Sequence, residues 1–168
     1  MADSATSSLG GAHLAMRAAV PADAVAIARV INLAFEVERF FITGDRITVE
    51  EVRELLGGGS FLLMESDGAL VGCVYVEVRK ERGYFGLLSV DPAQQRAGIG
   101  RRLVAAAEDH CRSAGCTVMD LQTVNLRTEL PPLYRRLGYV EIGTAPFEAP
   151  DRVKRPCHFV LMSKTLVA

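Results

Sequence analysis

Residues 84–112 read YFGLLSVDPAQQRAGIGRRLVAAAEDHCR, and this stretch decides the fold of the chain. It opens on an apolar run, Tyr84 to Val90, which predicts a strand. The strand should end at Asp91-Pro92, because proline has no N–H group to donate to a sheet. Gly98-Ile99-Gly100 then leads into a segment with helical periodicity. The stretch therefore predicts a strand, a glycine-bearing loop and a helix, in that order.

The predicted helix separates apolar from polar side chains. Its apolar positions recur at helical spacing and are Ile99, Leu103, Val104, Ala107 and Cys111. Its polar positions are Arg101, Arg102, Glu108, Asp109 and Arg112. One face should therefore pack against a core, and the other should face solvent.

The loop before this helix has the features of an anion-binding site. Backbone N–H groups at a helix start point toward one place, at the positive end of the helix dipole, and phosphate is a typical ligand there. Gly98 and Gly100 would let a phosphate approach the backbone without a side chain in the way. Arg96, Arg101 and Arg102 crowd the same helix end, where the dipole disfavours cations, and a bound polyphosphate would offset that repulsion. From these residues alone, an ordinary glycine turn followed by surface arginines stays an alternative.

The string VDPAQQRAGIGRRL, residues 90–103, resembles the acetyl-coenzyme A (acetyl-CoA) loop of the GCN5-related N-acetyltransferase (GNAT) family. The family pattern is Gln/Arg-x-x-Gly-x-Gly/Ala after a strand that ends near Val-x-Pro. A Walker loop would need Gly-Lys-Ser/Thr and a dinucleotide fingerprint would need a third glycine, and the string has neither. The resemblance extends from about Leu14 to the end of the chain, and its most specific part lies between Val90 and Tyr139.

Composition and charge indicate one globular domain. The chain has 168 residues, of which 49% are hydrophobic and 23% charged, and its net charge of −1 argues against a nucleic acid or an anionic membrane as partner. No apolar run reaches membrane-spanning length. The four cysteines lack metal-type spacing and lie in apolar stretches, which favours reduced core residues in a cytoplasmic protein and predicts no metal site. Residues 1–13 should form a flexible tail before a domain over residues 14–168.

The predicted elements follow one another in the order found in that family. They are a strand at 14–18, a helix at 21–35, a helix from the capping box at 48–51 to the glycines at 57–59, strands at 60–65, 70–79 and 84–90, the helix after Gly98, a strand at 116–124, a short helix at 133–137, and strands at 139–142 and 158–166. A helix between strands 84–90 and 116–124 requires those two strands to run parallel. The resemblance implies a mixed α/β acyl-CoA N-acyltransferase fold, a mostly antiparallel sheet with one parallel β-α-β crossover and central strands that splay apart.

The resemblance also implies where acetyl-CoA, as the acetyl donor, would bind. Its pantetheine arm would lie between the splayed strands, and its pyrophosphate on the backbone N–H groups of the glycine loop. The residues implied to contact it are Leu88, Ser89, Val90, Gln95, Arg96, Ala97, Gly98, Ile99, Gly100, Arg101 and Asn125. Asn125 follows the second parallel strand, and the resemblance implies that it hydrogen-bonds the cofactor arm or the crossing backbone. A simple turn residue is the common alternative at such a position.

The family has a Leu-Tyr-x-x-x-Gly-Phe/Tyr string downstream, and residues 133–139 match it as LYRRLGY. The resemblance implies that Tyr134 donates a proton to the departing thiolate of coenzyme A. A phenol with a pKa of about 10 is protonated at neutral pH and still acidic enough for that role. Periodicity alone favours a core aromatic residue at Tyr134, beside Leu130, Leu133 and Leu137, and only the motif favours the catalytic role. Its separation of nine positions from Asn125 departs from the seven that many family members show.

The attacking amine must lose a proton, and Glu77 is the candidate base. Some family members carry a glutamate near the start of the central strand, where this chain has Tyr84. If residues 80–83 form a hairpin turn, Arg79 pairs with Tyr84 and Glu77 with Gly86, so Glu77 lies diagonal to Tyr84 at about 7–8 Å. A carboxylate there could reach the amine through a water molecule. The alternative is a strand carboxylate in solvent without a catalytic role.

The resemblance implies that the amine acceptor binds between two segments, residues 36–46 and residues 144–157. Their acidic side chains suit a cationic amine, their basic ones suit a carboxylate on the same molecule, and a solvated polar surface explains both sets equally well. The implied function is an acyltransferase that moves an acetyl group from acetyl-CoA to a small-molecule or peptide amine by direct attack in a ternary complex. The alternatives are a non-catalytic acyl-CoA sensor and a phosphate-binding structural domain. A homodimer is compatible with the sequence.

Overall fold

The computed structural model describes residues 7–9, 12–94 and 98–167. Its strands are β1 (Ser7–Leu9), β2 (Ala12–Ala18), β3 (Ser60–Ser66), β4 (Ala69–Arg79), β5 (Arg82–Val90), β6 (Val118–Val124), β7 (Val140–Pro146) and β8 (His158–Thr165). Its α-helices are α1 (Ala24–Ala34), α2 (Val49–Gly58), α3 (Ile99–Ser113) and α4 (Leu130–Arg136). No helix among the described residues is both long and apolar enough to cross a membrane. The tail predicted at residues 1–13 lies partly outside the described residues, and its flexibility stays a prediction.

The strands form one sheet in the order β1-β2-β3-β4-β5-β6-β8-β7. β5 and β6 pair in parallel, with α3 as the crossover between them, and the neighbouring pairs β4–β5 and β6–β8 are antiparallel. The parallel register joins only residues 82–84 to residues 118–120. Beyond Tyr84 the two strands separate, so the mixed sheet with splayed central strands is confirmed.

A β-bulge in β5 accompanies this separation. Tyr75 pairs with Gly86 and Cys73 with Ser89, so Leu87 and Leu88 together stand opposite Val74 alone. Leu87 has a φ of 53°, a left-handed conformation that is uncommon for a bulky residue. Bulges bend a strand and increase its local twist. The bulge therefore bends β5 within the part of the strand that no longer pairs with β6.

Helices cover both faces of the sheet. α3 packs on one face in an apolar cluster with β4, β5, β6 and the aromatic residues Phe85, Tyr134 and Tyr139. α1 and α2 pack on the other face around Phe61 and Tyr75. The five apolar positions predicted on α3 are all buried, which confirms its core face.

For one residue of α3 the predicted solvent exposure is wrong. Glu108, assigned to the solvent face, has an exposure of only 6%. Its carboxylate accepts a hydrogen bond from the Tyr139 hydroxyl at 2.8 Å and from the Lys164 ammonium at 3.0 and 3.1 Å. Helical periodicity could not show this, because the two partners come from the end of the chain and cover the helix there.

The register of β4 against β5 also differs from the prediction. Arg79 pairs with Arg82, so the turn is residues 80–81 rather than 80–83. Arg82 and the residue after it join the sheet because they also pair with β6 on their other edge. Glu77 consequently stands directly opposite Tyr84 instead of opposite Gly86. The face that Glu77 and Tyr84 share was predicted correctly, and the pairing was not.

Candidate active site

A cavity of about 820 Å³ opens where β5 and β6 separate. This volume lies within the range of small-molecule sites in proteins. Its helix end is lined by Gly98, Gly100, Arg101, Leu133, Tyr134 and Leu137. Its loop end is lined by Phe35, Glu38, Arg46, Tyr84, Phe147, Glu148 and Arg152. The cavity thus connects the start of α3 with the two segments that the sequence indicated for an acceptor.

The helix end contains the predicted anion site. α3 begins at Ile99, and Gly98 before it has a φ of +71°, a left-handed conformation that favours glycine. The Ile99 side chain is fully buried in the core, so only its backbone could face a ligand. The first N–H groups of a helix have no acceptor within the helix and are available to an anion. Gln95, Arg96 and Ala97, predicted for the same role, lie outside the described residues.

The exposed edge of β5 forms one wall of the cavity. Leu88 and Val90 line it, whereas Ser89 is buried and donates its hydroxyl hydrogen bond to the Leu87 carbonyl at 2.9 Å. The register with β6 ends at Tyr84, so this edge is not paired with β6. It can therefore accept an extended ligand by backbone hydrogen bonding, as an added strand would.

Asn125 takes a different position from the other predicted contacts. Its side-chain oxygen accepts a hydrogen bond from the His158 N–H at 2.8 Å, and its own N–H donates to the His158 carbonyl at 2.9 Å. It is not among the residues that line the cavity. In this structure Asn125 holds the start of β8 against the end of β6, and a role toward a cofactor stays a prediction.

Tyr134 is both a core aromatic residue and part of the cavity wall. Its ring lies 6.0 Å from that of Phe85 and 6.1 Å from that of Tyr139, and 6% of the residue is exposed. Among the described residues none makes a hydrogen bond with its hydroxyl. Burial raises the pKa of Tyr134 to about 12, against a smaller opposing effect of Arg127. The phenol is therefore protonated at neutral pH and free to donate to a ligand in the cavity.

Thr123 is a cavity residue that the sequence analysis missed. It lies on β6, is 6% exposed, and its hydroxyl has no hydrogen-bond partner among the described residues. Buried polar groups are nearly always paired, so an unpaired hydroxyl on a cavity wall indicates a ligand contact. Side chains alternate between the two faces of a strand, so Thr123 shares a face of β6 with Met119 and Leu121. This alternation could have revealed a hydroxyl on an otherwise apolar face.

The loop end joins two segments that are distant in sequence. The N–H of Thr43 donates to the Arg152 carbonyl, and the N–H of Lys154 donates to the Phe41 carbonyl, both at 2.8 Å. Glu38 and Arg127 form a buried ion pair at 2.8 Å on the cavity wall. Burial raises the pKa of Glu38, and Arg127 opposes this effect. The structure thus brings together the two segments that the sequence assigned to the acceptor.

Glu77 shares a sheet face with Tyr84 but does not line the cavity. Its carboxylate accepts hydrogen bonds from the Arg79 guanidinium and from the Tyr75 hydroxyl, both at 2.9 Å. Arg79 in particular holds the pKa of Glu77 below its ordinary value. Glu77 is therefore ionised at neutral pH, and it could reach a ligand only through an intervening group.

The cysteines offer no activated nucleophile. All four are free thiols, and three of them are buried. Burial raises the pKa of Cys73 and of Cys111 to about 12, so both stay protonated. Across the described residues no group of three or more His, Cys, Asp or Glu side chains is arranged to hold a metal ion.

Known proteins resemble this chain in sequence and in structure. A family model described as an acetyltransferase (GNAT) domain matches residues 34–166. A mycothiol acetyltransferase from Cellulomonas flavigena is 28% identical over 159 residues, which cover 86% of this chain and 46% of that protein. The curated relatives are longer than the shared part, because the matches span between 28% and 61% of their lengths.

Two solved structures share the fold. A ribosomal-protein-alanine N-acetyltransferase from Brucella melitensis gives a TM-score of 0.74 at 22% identity, over 90% of this chain and 99% of that one. The yncA protein from Salmonella typhimurium, solved with its cofactor acetyl-CoA, gives a TM-score of 0.70 at 23% identity, over 92% of this chain and 94% of that one.

Proposed function

This chain belongs to the GNAT acetyltransferase family, and we propose that it transfers an acetyl group from acetyl-CoA to a primary amine by direct attack in a ternary complex. One observation carries the proposal: the same cavity is lined by the start of α3, by the edge of β5 at Leu88, beyond its pairing with β6, and by Tyr134. The helix start suits a pyrophosphate, the strand edge suits an extended amide-bearing arm, and the phenol suits a departing thiolate. The residues of this cavity therefore fit acetyl-CoA.

Each part of the cavity has a role in this proposal. When bound, acetyl-CoA supplies an acetyl group on a thioester. The backbone at residues 98–101 would hold the pyrophosphate, together with Gln95, Arg96 and Ala97. The β5 edge at residues 88–90 would pair with the pantetheine arm and donate N–H groups to the thioester carbonyl oxygen. Asn125 is proposed to act indirectly, by fixing the end of β6.

The proposed reaction exchanges one bond for another. The amine nitrogen bonds to the acetyl carbon while the carbon–sulfur bond breaks. The leaving sulfur takes a proton from Tyr134, and the amine gives a proton to a base. The reaction needs a protonated phenol, which the raised pKa of Tyr134 provides.

Thiol release with a panel of amines tests this function. We expect the protein to bind acetyl-CoA and to release free thiol only when a suitable amine is present. Binding without release for every amine would favour an acyl-CoA sensor. Failure to bind acetyl-CoA at all would favour a structural domain that binds phosphate.

We expect Thr123→Val to stabilise the free protein slightly and to weaken acetyl-CoA binding. Valine has nearly the same shape as threonine and removes a buried hydroxyl that has no partner among the described residues. If this hydroxyl bonds to the pantetheine arm, its loss should raise the Kd about fivefold, the effect of one neutral hydrogen bond of about 1 kcal/mol. Calorimetric titration and thermal unfolding measure the two effects.

Thr165→Val is the matched control, because Thr165 lies on β8 of the same sheet but is exposed and outside the cavity wall. It should leave the Kd for acetyl-CoA unchanged. A Thr123→Val protein with wild-type affinity would show that the hydroxyl contacts no part of the cofactor.

For the base we keep Glu77, acting through water beside the Tyr84 hydroxyl. A base must be deprotonated, so kcat/KM should fall as the pH drops through the pKa of Glu77. Because Arg79 lowers that pKa, this fall in kcat/KM, the acidic limb of the pH profile, should occur below the ordinary carboxylate pKa of about 4.3. Glu77→Gln should remove the limb and reduce kcat/KM at neutral pH by about 10²-fold.

Glu81→Gln provides the control, since Glu81 is an exposed carboxylate in the adjacent β4–β5 turn. It should leave the pH profile unchanged. A wild-type profile for Glu77→Gln would instead assign Glu77 a structural role with Arg79 and Tyr75.

A further inference from the structure

The loop end of the cavity contains two opposite charges without an ionic partner among the described residues, Arg46 and Glu148. Arg46 is half-buried, and its guanidinium lies 5.4 Å from the centre of the Phe35 ring. Glu148 is exposed and reaches the cavity from the loop between β7 and β8. Neither side chain forms a hydrogen bond or an ion pair with any described residue.

The other charged groups at this end are already engaged. Glu38 is paired with Arg127 at 2.8 Å. Glu51 accepts hydrogen bonds from the backbone and side chain of Thr48 and so closes the capping box of α2. Arg152 donates to two main-chain carbonyls of the loop before α2. Arg46 also acts electrostatically on the Glu38 carboxylate, but it makes no ion pair with it. Arg46 and Glu148 therefore remain as the groups at the loop end that have no hydrogen bond or ion pair with a described residue.

Both of these charged side chains line the same cavity as Tyr84. Burial raises the pKa of Tyr84, Arg79 and Arg46 oppose this effect, and Glu77 and Glu148 add to it. Arg79 stacks on the Tyr84 ring at 4.3 Å and is paired with Glu77 at 2.9 Å, so these two groups compensate each other. Arg46, from the segment before α2, and Glu148, from the loop between β7 and β8, thus present opposite charges to the same cavity.

We propose that the acceptor is a small amine that also carries a carboxylate, as a free amino acid does, and that Arg46 binds this carboxylate. A guanidinium presents a planar fork that matches a carboxylate in a bidentate pair. Stacking on Phe35 holds the plane of that fork in advance, which reduces the entropy lost on binding. Glu148 attracts the ammonium group of the same molecule. This inference rests on the proposed acetyltransferase function.

Pairs of amino acids and their carboxamides test the inference directly. The two members of a pair differ only in the carboxylate, and their rates are compared at equal concentrations of the unprotonated amine. With saturating acetyl-CoA, we expect kcat/KM for thiol release to be at least about tenfold higher for the acid, the usual effect of a charge-assisted hydrogen bond. Arg46→Met should remove this preference. Glu148→Gln should lower kcat/KM for the acid and for the carboxamide by a similar factor.

Arg155→Met is the matched control. Arg155 also stacks on an aromatic ring, 5.6 Å from the centre of Phe40, but it does not line the cavity. The control should keep the wild-type preference for the acid. Arg46→Lys keeps the charge but not the planar fork, so it should keep only part of the preference for the acid. This variant replaces Arg46→Met in the test if the methionine variant does not fold.

The outcomes separate this inference from the function on which it rests. Wild-type turnover of carboxamides as fast as of acids would overturn the inference and leave the acetyltransferase function intact. An acid preference that survives in both Arg46 variants would overturn the role of Arg46. Absence of thiol release with every amine would overturn the proposed function itself.

Discussion

Tyr134→Phe is expected to lower kcat by about 10²-fold or more, the usual scale for loss of a general acid, with little change in the Kd for acetyl-CoA. Phenylalanine keeps the ring against Phe85 and Tyr139 and removes only the hydroxyl. Among the described residues none bonds to that hydroxyl, so the folded protein should keep its stability. Steady-state kinetics, calorimetric titration and thermal unfolding measure the three quantities.

The wild-type pH profile gives an independent check on Tyr134. A general acid acts in its protonated form, so activity is present below its pKa and is lost as the pH rises through it. Burial raises the pKa of Tyr134 to about 12. The phenol should therefore cause no fall in kcat on the alkaline side until the pH approaches that value.

Tyr139→Phe is the control for Tyr134→Phe and should behave in the opposite way. Tyr139 belongs to the same aromatic group, but its hydroxyl donates to the buried Glu108 carboxylate at 2.8 Å. Its loss leaves that carboxylate with one donor fewer, so stability should fall by about 1–3 kcal/mol while kcat is retained. Equal kcat values for the wild type and Tyr134→Phe would show that Tyr134 is only a core aromatic residue.

Gly98→Val is expected to abolish binding of acetyl-CoA. No described atom lies within 4 Å of the position that a Cβ would take at Gly98, so the Cβ of valine meets no obstacle among the described residues. The φ of +71° instead imposes about 1–2 kcal/mol of backbone strain on a residue with a side chain. The side chain would also occupy the space in front of the first N–H groups of α3, where the pyrophosphate would bind. Calorimetric titration should detect no heat of binding.

Gly115→Val separates strain from ligand contact. Gly115 follows the far end of α3, has a φ of +90° and also has no atom within 4 Å of its Cβ position. Its replacement should reduce stability about as much as Gly98→Val does, and it should leave the Kd for acetyl-CoA unchanged. If Gly98→Val bound acetyl-CoA with wild-type affinity, the pyrophosphate site would have to lie elsewhere.

Local patterns in the sequence were sufficient for the order of the elements. The capping box at Thr48, predicted from residues 48–51, is present and starts α2 at Val49. The apolar spacing after Gly98 identified the buried face of α3. The parallel pairing of β5 with β6 followed from the helix between them. The capping box and the buried helix face depend on residues within a few positions of one another, and the parallel pairing follows from the order strand, helix, strand.

Predictions that depended on distant partners were less accurate. Glu108 was assigned to solvent because the helix alone exposes it, but Tyr139 and Lys164 cover it from the end of the chain. Glu77 was paired with the wrong residue because the β4–β5 turn is tightened by the pairing of β5 with β6. In both cases a contact made through the sheet outweighed the local preference.

The sequence by itself determined the α/β order and the strand–loop–helix unit around Gly98, because hydrophobic period, glycine and proline act locally. The candidate acid Tyr134 came from the resemblance of residues 133–139 to the family motif. Only the tertiary structure decided how these parts form a cavity. β5 and β6 separate beyond Tyr84, β5 has a bulge at Leu87, and the Thr123 hydroxyl on the cavity wall has no partner among the described residues. Backbone hydrogen bonds between the segments at 41–43 and 152–154 close the loop end and place Arg46 in its wall. These features arise from pairing between segments far apart in the chain, and local sequence patterns do not encode that pairing.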